Sequence, residues 1–361
     1  MNNDNILIIT RSNDFHTRVV VHCLEKHGVG HLAIAAEHLT TQAFTGCTIL
    51  KGEVSEHAEN SGRIVDMSHV GTVWYRRHRN PILPENAVDT EDRLIAEVEV
   101  AEYSQCFVRG SLLGARWIND PTSTIVANSK LRQLKLALQA ELQVPETYIG
   151  NSPAKIRDFV RGRSCIYKPF SPLSWRELDA EFVLHTSQID EGDLPSDDIL
   201  RVVPGIYQEH IRKRSDIRVM LAGDQIVAIS MPKELNETPK PDIRAVPLAR
   251  RRGAVVSLPL KLQQKMLKLM SSLGLRFGCI DLLEDEEGRL IFLEVNPMGQ
   301  FLWMDVVSPE VNALGVFVDF LCARPSIEAH EFSYQKAIAE MKGNGKNDDI
   351  LPLLNAAQTE T

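Results

Sequence analysis

The sequence predicts an α/β protein built of lobes, and three observations carry that expectation. A strand–helix–strand rhythm opens the chain: Asn5–Thr10 (NILIIT) and His31–Ala36 are short apolar runs of strand length, and between them Phe15, Val19, Cys23 and Leu24 recur at helical spacing. Near the other end, two apolar runs flank Glu286-Glu287-Gly288 in the pattern of a hairpin. Finally, 361 residues exceed one ordinary domain of ~100–200 residues, so two or three lobes are expected.

In the first lobe, Asp14 stands where an N-cap is needed, and Gly28 and Gly30 end the helix. Val70–Tyr75 reads as a further strand of a parallel sheet, and Asp89–Arg109 as a long, charged amphipathic helix beside it. The pattern breaks at Asn119-Asp120-Pro121, the first boundary. Beyond it come a helix at Ser129–Leu142, a strand at Thr147–Gly150, a helix at Pro153–Arg161 and a strand at Ser164–Lys168. Leu194–Asp198 is polar and turn-rich. Strands at 206–211, 216–222 and 225–231, a helix at 259–273, the hairpin at 277–295 and an apolar helix over Pro309–Cys322 follow. The expected lobes are 1–119, 120–205 and 206–325, with a partly flexible tail over 326–361 that holds one helix at Tyr334–Met341.

Lys+Arg total 40 against Asp+Glu 48, a net charge of -8, which excludes nucleic acid as a main partner because phosphate neutralisation needs the opposite balance. The cysteines at 23, 47, 106, 165, 279 and 322 form no Cys-x-x-Cys pair, so neither a zinc knuckle nor a redox dithiol is expected. The start, Met1–Asn5, has no basic segment leading into a long apolar one, and no apolar run approaches the ~18 residues that span a bilayer. A cytoplasmic protein without a membrane partner is expected.

The most informative segment is FGCIDLLEDEEGRLIFLEVNPMGQ (Phe277–Gln300). With Glu287-Gly288 as the turn residues, Asp281 falls opposite Glu294, and Asn296, two positions on, shares their face. Three oxygen donors without His or Cys suit a hard cation such as Mg²⁺. Two carboxylates in apolar strands repel unless a cation neutralises them. Leu283 and Phe292, placed on the same face, argue against a solvent-facing acidic stripe.

With these residues in view, the segment resembles the metal-binding signature of ATP-grasp carboxylate–amine ligases, and further elements appear in the family's order over roughly residues 120–325. Lys130 resembles the first nucleotide lysine and Lys168, in SCIYKPF, the strand lysine that reaches the phosphates. Tyr207–Ile211 resembles the hinge whose Gln208, Glu209 and Ile211 contact adenine. Asp216-Ile217-Arg218 and Asp242-Ile243-Arg244 resemble the segments that bring two catalytic arginines, Arg218 and Arg244, to the phosphates. The resemblance implies ATP and Mg²⁺, two ions, the latter on Asp281, Glu294 and Asn296. An arginine in an apolar strand, as Arg218 is, must also meet an anion or carboxylate. One departure is the stretch after Lys168, PFSPLSW, which has no glycine; Ser171 and Ser174 hydroxyls are its candidate phosphate donors. Neither Gly-x-Gly-x-x-Gly nor a P-loop is present.

GTVWYRRHRNP (Gly71–Pro81), together with NPMGQFLW (Asn296–Trp303), resembles the microviridin-type ligases that make graspetides, closing Asp or Glu side chains of a precursor peptide onto hydroxyls or amines as macrocycles. On that resemblance Arg76, Arg77 and Arg79 would bind an acidic peptide, the expected partner, by bidentate pairing. A homodimer is an open option. So are a ligase for free amino acids or protein tails on the same fold, and a nucleotide-binding regulator without catalysis.

Overall fold

The computed structural model describes residues 5–170, 173–177, 180–184, 186–235, 247–323 and 332–343. At its start, β1 (Asn5–Thr10), α1 (Phe15–Lys26) and β2 (His31–Ala35) form as the apolar spacing requires, and the Asp14 carboxylate caps α1 by accepting from Thr17 N–H at 2.8 Å. An antiparallel meander that the sequence pattern does not announce follows: β3 (Ala43–Leu50), β4 (Glu53–Asn60) and β5 (Arg63–Asp66). Its turns, Lys51-Gly52 and Ser61-Gly62, have positive φ at both residues, as tight hairpins favour. The strands are mostly exposed, so EVSEHAEN carries no apolar alternation to read. Then come β6 (Val70–Tyr75), α2 (Thr90–Gly110) and β7 (Arg116–Ile118). The sheet runs β2-β1-β6-β7, every pair parallel. Contrary to the amphipathic expectation, α2 buries only Ser104, Phe107 and Val108, at its C-terminal end, and leaves Leu94 and Ile95 exposed.

Next, α3 (Pro121–Ala127) and α4 (Lys130–Gln139) lead to β8 (Thr147–Gly150), α5 (Pro153–Val160), β9 (Cys165–Lys168), the hairpin β10 (Leu173–Glu177) and β11 (Ala180–Leu184), and β12 (Ser187–Ile189). A helix hidden in the sequence by its turn-like polar start, α6 (Asp197–Val202), buries Leu200. β13 (Gly205–Glu209), assigned from sequence to the last lobe, instead pairs with both β8 and β9 in the sheet β12-β9-β13-β8.

The last sheet is antiparallel, β16-β15-β14-β17-β18, from β14 (Lys213–Ala222), β15 (Gln225–Pro232), β16 (Ala254–Val255), β17 (Phe277–Asp285) and β18 (Leu290–Asn296), with α7 (Leu260–Ser272) between β16 and β17. Ile280, Leu282, Phe292 and Val295 pack with Met266 and Leu269 of α7 and with Ala137 of α4. The opposite face, including Met220, Phe277 and Cys279, joins Trp74 of β6 and Phe301 in one core. α8 (Leu302–Val307) and α9 (Ala313–Leu321) complete that core. The expected Pro309–Cys322 helix is shorter at its start because Asn312 takes a left-handed φ of 46°. In the tail, α10 (Tyr334–Gly343) is packed through Tyr334, Ala337, Ile338 and Met341. Residues 344–349, read as flexible, lie outside the described residues.

Candidate active site

The hairpin reaches the expected pairing by two departures that cancel. Its turn is longer than two residues, with Gly288 at φ +78° and the Asp285 carboxylate accepting from the Glu287 and Arg289 N–H groups at 3.1 and 2.7 Å. Pairing therefore starts at Glu284↔Leu290 and runs through Leu282↔Phe292, a register that would set Asp281 opposite Leu293. A bulge at Leu293 restores Asp281↔Glu294 and Cys279↔Asn296. Without that extra residue Glu294 would turn to the other face. The bulge also sends Phe292 into the core opposite the carboxylates, so the sequence reading of Phe292 as their neighbour is wrong.

Each carboxylate has a cation of its own. Arg218 stands in register with Asp281 across β14–β17; its Nη1 donates to both carboxylate oxygens at 2.8 and 2.9 Å, and its Nη2 to the Gln300 carbonyl at 2.9 Å. Burial is the largest single influence on Arg218 and opposes its charge, but Asp281, Cys279 and Glu294 together outweigh it and raise the guanidinium above its ordinary value. Lys130, at the first turn of α4, is ion-paired with Glu294. The sequence expectation sent Lys130 and Arg218 to phosphates; in this structure they neutralise the hairpin. Repulsion between Asp281 and Glu294 therefore does not by itself demand a metal.

What bears on a metal is the donor chemistry. Asp281, Glu294 and Asn296 present carboxylate and amide oxygens on one sheet face, a set that fits Mg²⁺. Cys279 shares that face, and burial pushes its thiol upward. Among the described residues no group of three or more His, Cys, Asp or Glu side chains is placed to hold a metal ion, so this face offers its oxygens from two carboxylates and an amide. Asn296 Oδ1 accepts from Met298 N–H at 3.1 Å, which orients it.

Several residues that no motif singles out hold this face in place. β18 is the edge of its sheet, and its outer backbone groups are met by side and main chain of the α4 region. Gln133 donates to Val295 O at 2.8 Å and accepts from Val295 N–H at 2.9 Å, between Glu294 and Asn296. Phe292 N–H reaches Gln143 O at 2.8 Å. Asn119 donates to Phe277 O and Pro297 O and accepts from Arg276 and Phe277 N–H. The neutral ring of His16, held well below the ordinary imidazole value by burial and by Arg76, accepts from Phe301 and Leu302 N–H at 3.2 and 3.4 Å. Trp303 lies against two guanidiniums, Arg218 at 5.8 Å and Arg251 at 5.4 Å from its ring centre. Apart from Trp303, which the NPMGQFLW stretch includes, none of these has a local signal, since each partner is distant in sequence.

The first-lobe arginines divide. Arg76 is fully buried, its Nε on Asp14 Oδ1 at 2.9 Å and its Nη1 on Met298 O at 2.6 Å, so it braces the loop that follows Asn296, in place of the expected substrate contact. Arg77 is half-buried and Arg79 exposed. Arg244 and Ser171 lie outside the described residues, as does the Ser174 side chain.

On the central sheet, pairing sets Lys168, Ile166, Ile206 and Gln208 on one face, while Tyr148, Tyr167 and Tyr207 pack with Ile156 of α5 on the other. Gln208 is buried, not exposed; its Nε2 donates to Thr147 Oγ1, and among the described residues its Oε1 has no partner. That leaves an acceptor on the face Lys168 shares. Glu209 lies on the opposite face, where its carboxylate accepts from Glu146 N–H at 2.9 Å and fastens the hinge. Ile211 is half-buried between β13 and β14.

No protein-family model matches the chain, and no curated protein matches it in sequence. Solved structures do. A RiPP-associated ATP-grasp ligase from Chryseobacterium gregarium, in complex with ADP and a leader and core peptide, aligns with a TM-score of 0.80 at 24% identity, over 90% of this chain and 97% of that one. The macrocyclase MdnC of Microcystis aeruginosa MRC, bound with precursor peptide MdnA, aligns at 0.75 and 22% identity, over 88% and 99%. The ATP-grasp ligase PsnB, complexed with a phosphomimetic variant of its minimal precursor, Mg and ADP, aligns at 0.66 and 20% identity, over 88% and 97%.

Proposed function

We propose that this chain, which has the ATP-grasp fold, is an ATP-dependent, ADP-forming ligase that activates Asp or Glu side chains of an acidic precursor peptide and closes them onto hydroxyls or amines as esters or amides. The observation that carries the reading is the hairpin face: Asp281, Glu294 and Asn296 as oxygen donors, with Arg218 and Lys130 directly on them. Neighbours of the same fold bind ADP, Mg and precursor peptides, which supports the same class of ligand here.

When bound, Mg²⁺ would supply charge neutralisation at the transferring phosphoryl group. Lys168 and Gln208 are the side chains for the nucleotide, and Arg218, released from Asp281, for the phosphoryl oxygens. A peptide carboxylate attacks the γ-phosphate, giving ADP and an acyl phosphate. A hydroxyl or amine then attacks the acyl carbon and expels inorganic phosphate, so each ring removes one water from the peptide. No protein nucleophile is needed, and positioning with electrostatics supplies the acceleration. All six cysteines are free thiols, in keeping with a reducing cytoplasm. Among the described residues no helix is long and apolar enough to cross a membrane.

The test is ATP turnover with candidate precursor peptides, following ADP and peptide mass. Glu294→Gln should lower turnover on the order of a hundredfold or more, since metal charge stabilisation is worth several kcal/mol, with the circular dichroism unchanged. AMP in place of ADP, or ADP release that requires only free amino acids, would sink the macrocyclase reading.

A further inference from the structure

The peptide group between Gln300 and Phe301 is shared by two side chains from distant parts of the chain. Its N–H donates to His16 Nε2 at 3.2 Å, and its carbonyl accepts from Arg218 Nη2 at 2.9 Å. A peptide group is planar, so whatever fixes its N–H also fixes the direction of its carbonyl. His16 is the second residue of α1, and the Asp14 cap sets where that helix begins. The ring is almost wholly buried and stands edge-on to Phe301, with 5.1 Å between ring centres. Leu302 N–H approaches the same nitrogen at 3.4 Å. Two donors converging on Nε2 require it to be the acceptor, which leaves the ring proton on Nδ1.

Arg218 depends on that carbonyl. Its Nη1 serves Asp281, and its Nε is buried without a hydrogen-bond partner among the described residues. The bond from Nη2 to Gln300 O therefore remains when Asp281 is exchanged for another anion. Trp303 lies against the guanidinium, 5.8 Å from its ring centre, and lends contact without direction. An acceptor on the Phe301 N–H also polarises the peptide group and strengthens its carbonyl toward Arg218. The stretch is held at a second point, where Arg76 Nη1 donates to Met298 O at 2.6 Å. Burial first, then Arg76, hold the His16 ring below the ordinary imidazole value; Arg77 and Arg218 add to this, and Asp14 opposes it. The ring is thereby kept neutral, the state in which Nε2 can accept.

Resting on the ligase reading, we propose that His16 is a positioning residue for Arg218: through the Gln300–Phe301 peptide group it sets the carbonyl on which the guanidinium pivots from Asp281 toward the phosphoryl oxygens. The ring needs no bond to ATP or to the peptide. Its loss therefore acts on the step in which charge develops and leaves nucleotide binding in place. Nothing local to α1 announces the role, because His16 and Phe301 stand 285 positions apart.

The test follows ADP release from ATP with a synthetic peptide alternating Thr and Glu, using the full chain and its His16→Leu, His16→Gln and His16→Asn variants. His16→Leu should lower kcat about tenfold or more, the scale of one hydrogen bond to a charged group, with the KM for ATP little changed. The amide oxygen of Gln reaches where Nε2 stands and should restore most of kcat; that of Asn falls short and should not. The Gln and Asn pair keeps the test decisive should His16→Leu fail to fold. Wild-type kcat in both the Leu and Asn variants, or no recovery with Gln, would overturn the proposal. So would a raised KM with kcat kept, which would make His16 a binding contact. Urea unfolding of His16→Leu, Arg218→Met and their double variant supplies a measure independent of turnover. Losses that are less than additive are expected for residues sharing one peptide group, and additive losses would overturn the coupling. Absence of ADP in the wild type strikes the ligase reading instead, and the unfolding cycle then decides by itself whether His16 acts on Arg218.

Discussion

On the hairpin face Asp281 is matched by Arg218 and Glu294 by Lys130, one cation to each carboxylate. A few residues away, across Met298, the buried Arg76 is paired with Asp14, and Arg77 lies 3.9 Å from the same carboxylate. The matched pairs leave the first face near neutral, with Asp281 and Glu294 each about a third exposed (32% and 29%) and therefore open to exchange with a ligand. The contrast separates two half-open pairs that a ligand can reach from a pair that the fold has closed to solvent.

Three perturbations would break or sharpen that contrast. The largest effect is expected from Asp14→Asn. The Asp14–Arg76 pair is almost wholly buried, at 2% and 1% exposure, and Arg76 holds Asp14 well below the usual carboxylate range despite burial. Removing that charge leaves Arg76 buried without its carboxylate, a loss of about 3–5 kcal/mol read from urea unfolding. A change under ~1 kcal/mol would mean that the burial of Arg76 does not depend on Asp14.

The next concerns a carboxylate that belongs to none of these pairs. Asp305 accepts from Ala313 and Leu314 N–H at 2.8 and 3.0 Å, yet burial pushes it up to about 7 against their pull. The folded protein then keeps a proton that the unfolded chain releases at its ordinary value. Stability from this group is complete below that value and is lost as pH rises toward and through about 7. Unfolding measured across that window should slope downward, and Asp305→Asn should flatten the slope. An unaltered profile in the variant would mean that the two N–H groups keep Asp305 ionised.

The smallest effect is expected from Lys130→Met. Its pair with Glu294 is about a third open to solvent, and such pairs contribute about 1 kcal/mol or less. A larger loss would make the pair a fixed strut and weaken the idea that Lys130 exchanges partners.

Elements whose periodicity is local are legible in the residues alone. The caps Asp14 and Ser129 sit where helices α1 and α4 begin, and β1, β6, β8, β9, β17 and β18 follow their apolar runs within a residue or two. Meander β3–β5 escapes such a reading because it is mostly exposed, so burial never imposed an alternation on its sequence. Arg76 misleads for a related reason. A run of arginines states its charge but not its burial, and burial comes from Asp14 and Met298, the latter 222 positions away.

For the hairpin, sequence by itself determined that acidic and amide oxygens alternate with apolar residues in two adjacent strands, because side chains alternate across any strand. It also determined the order of strands, helices and chemistry-bearing residues along the chain. Only the tertiary structure decided the bulge at Leu293, which corrects the longer turn and keeps Glu294 on the face of Asp281. It alone joined Gln133 to Val295 and Asn119 to Phe277, contacts that form only after distant strands have paired. The physical reason is range: alternation and capping act over a few residues, whereas burial and register correction depend on which segments meet.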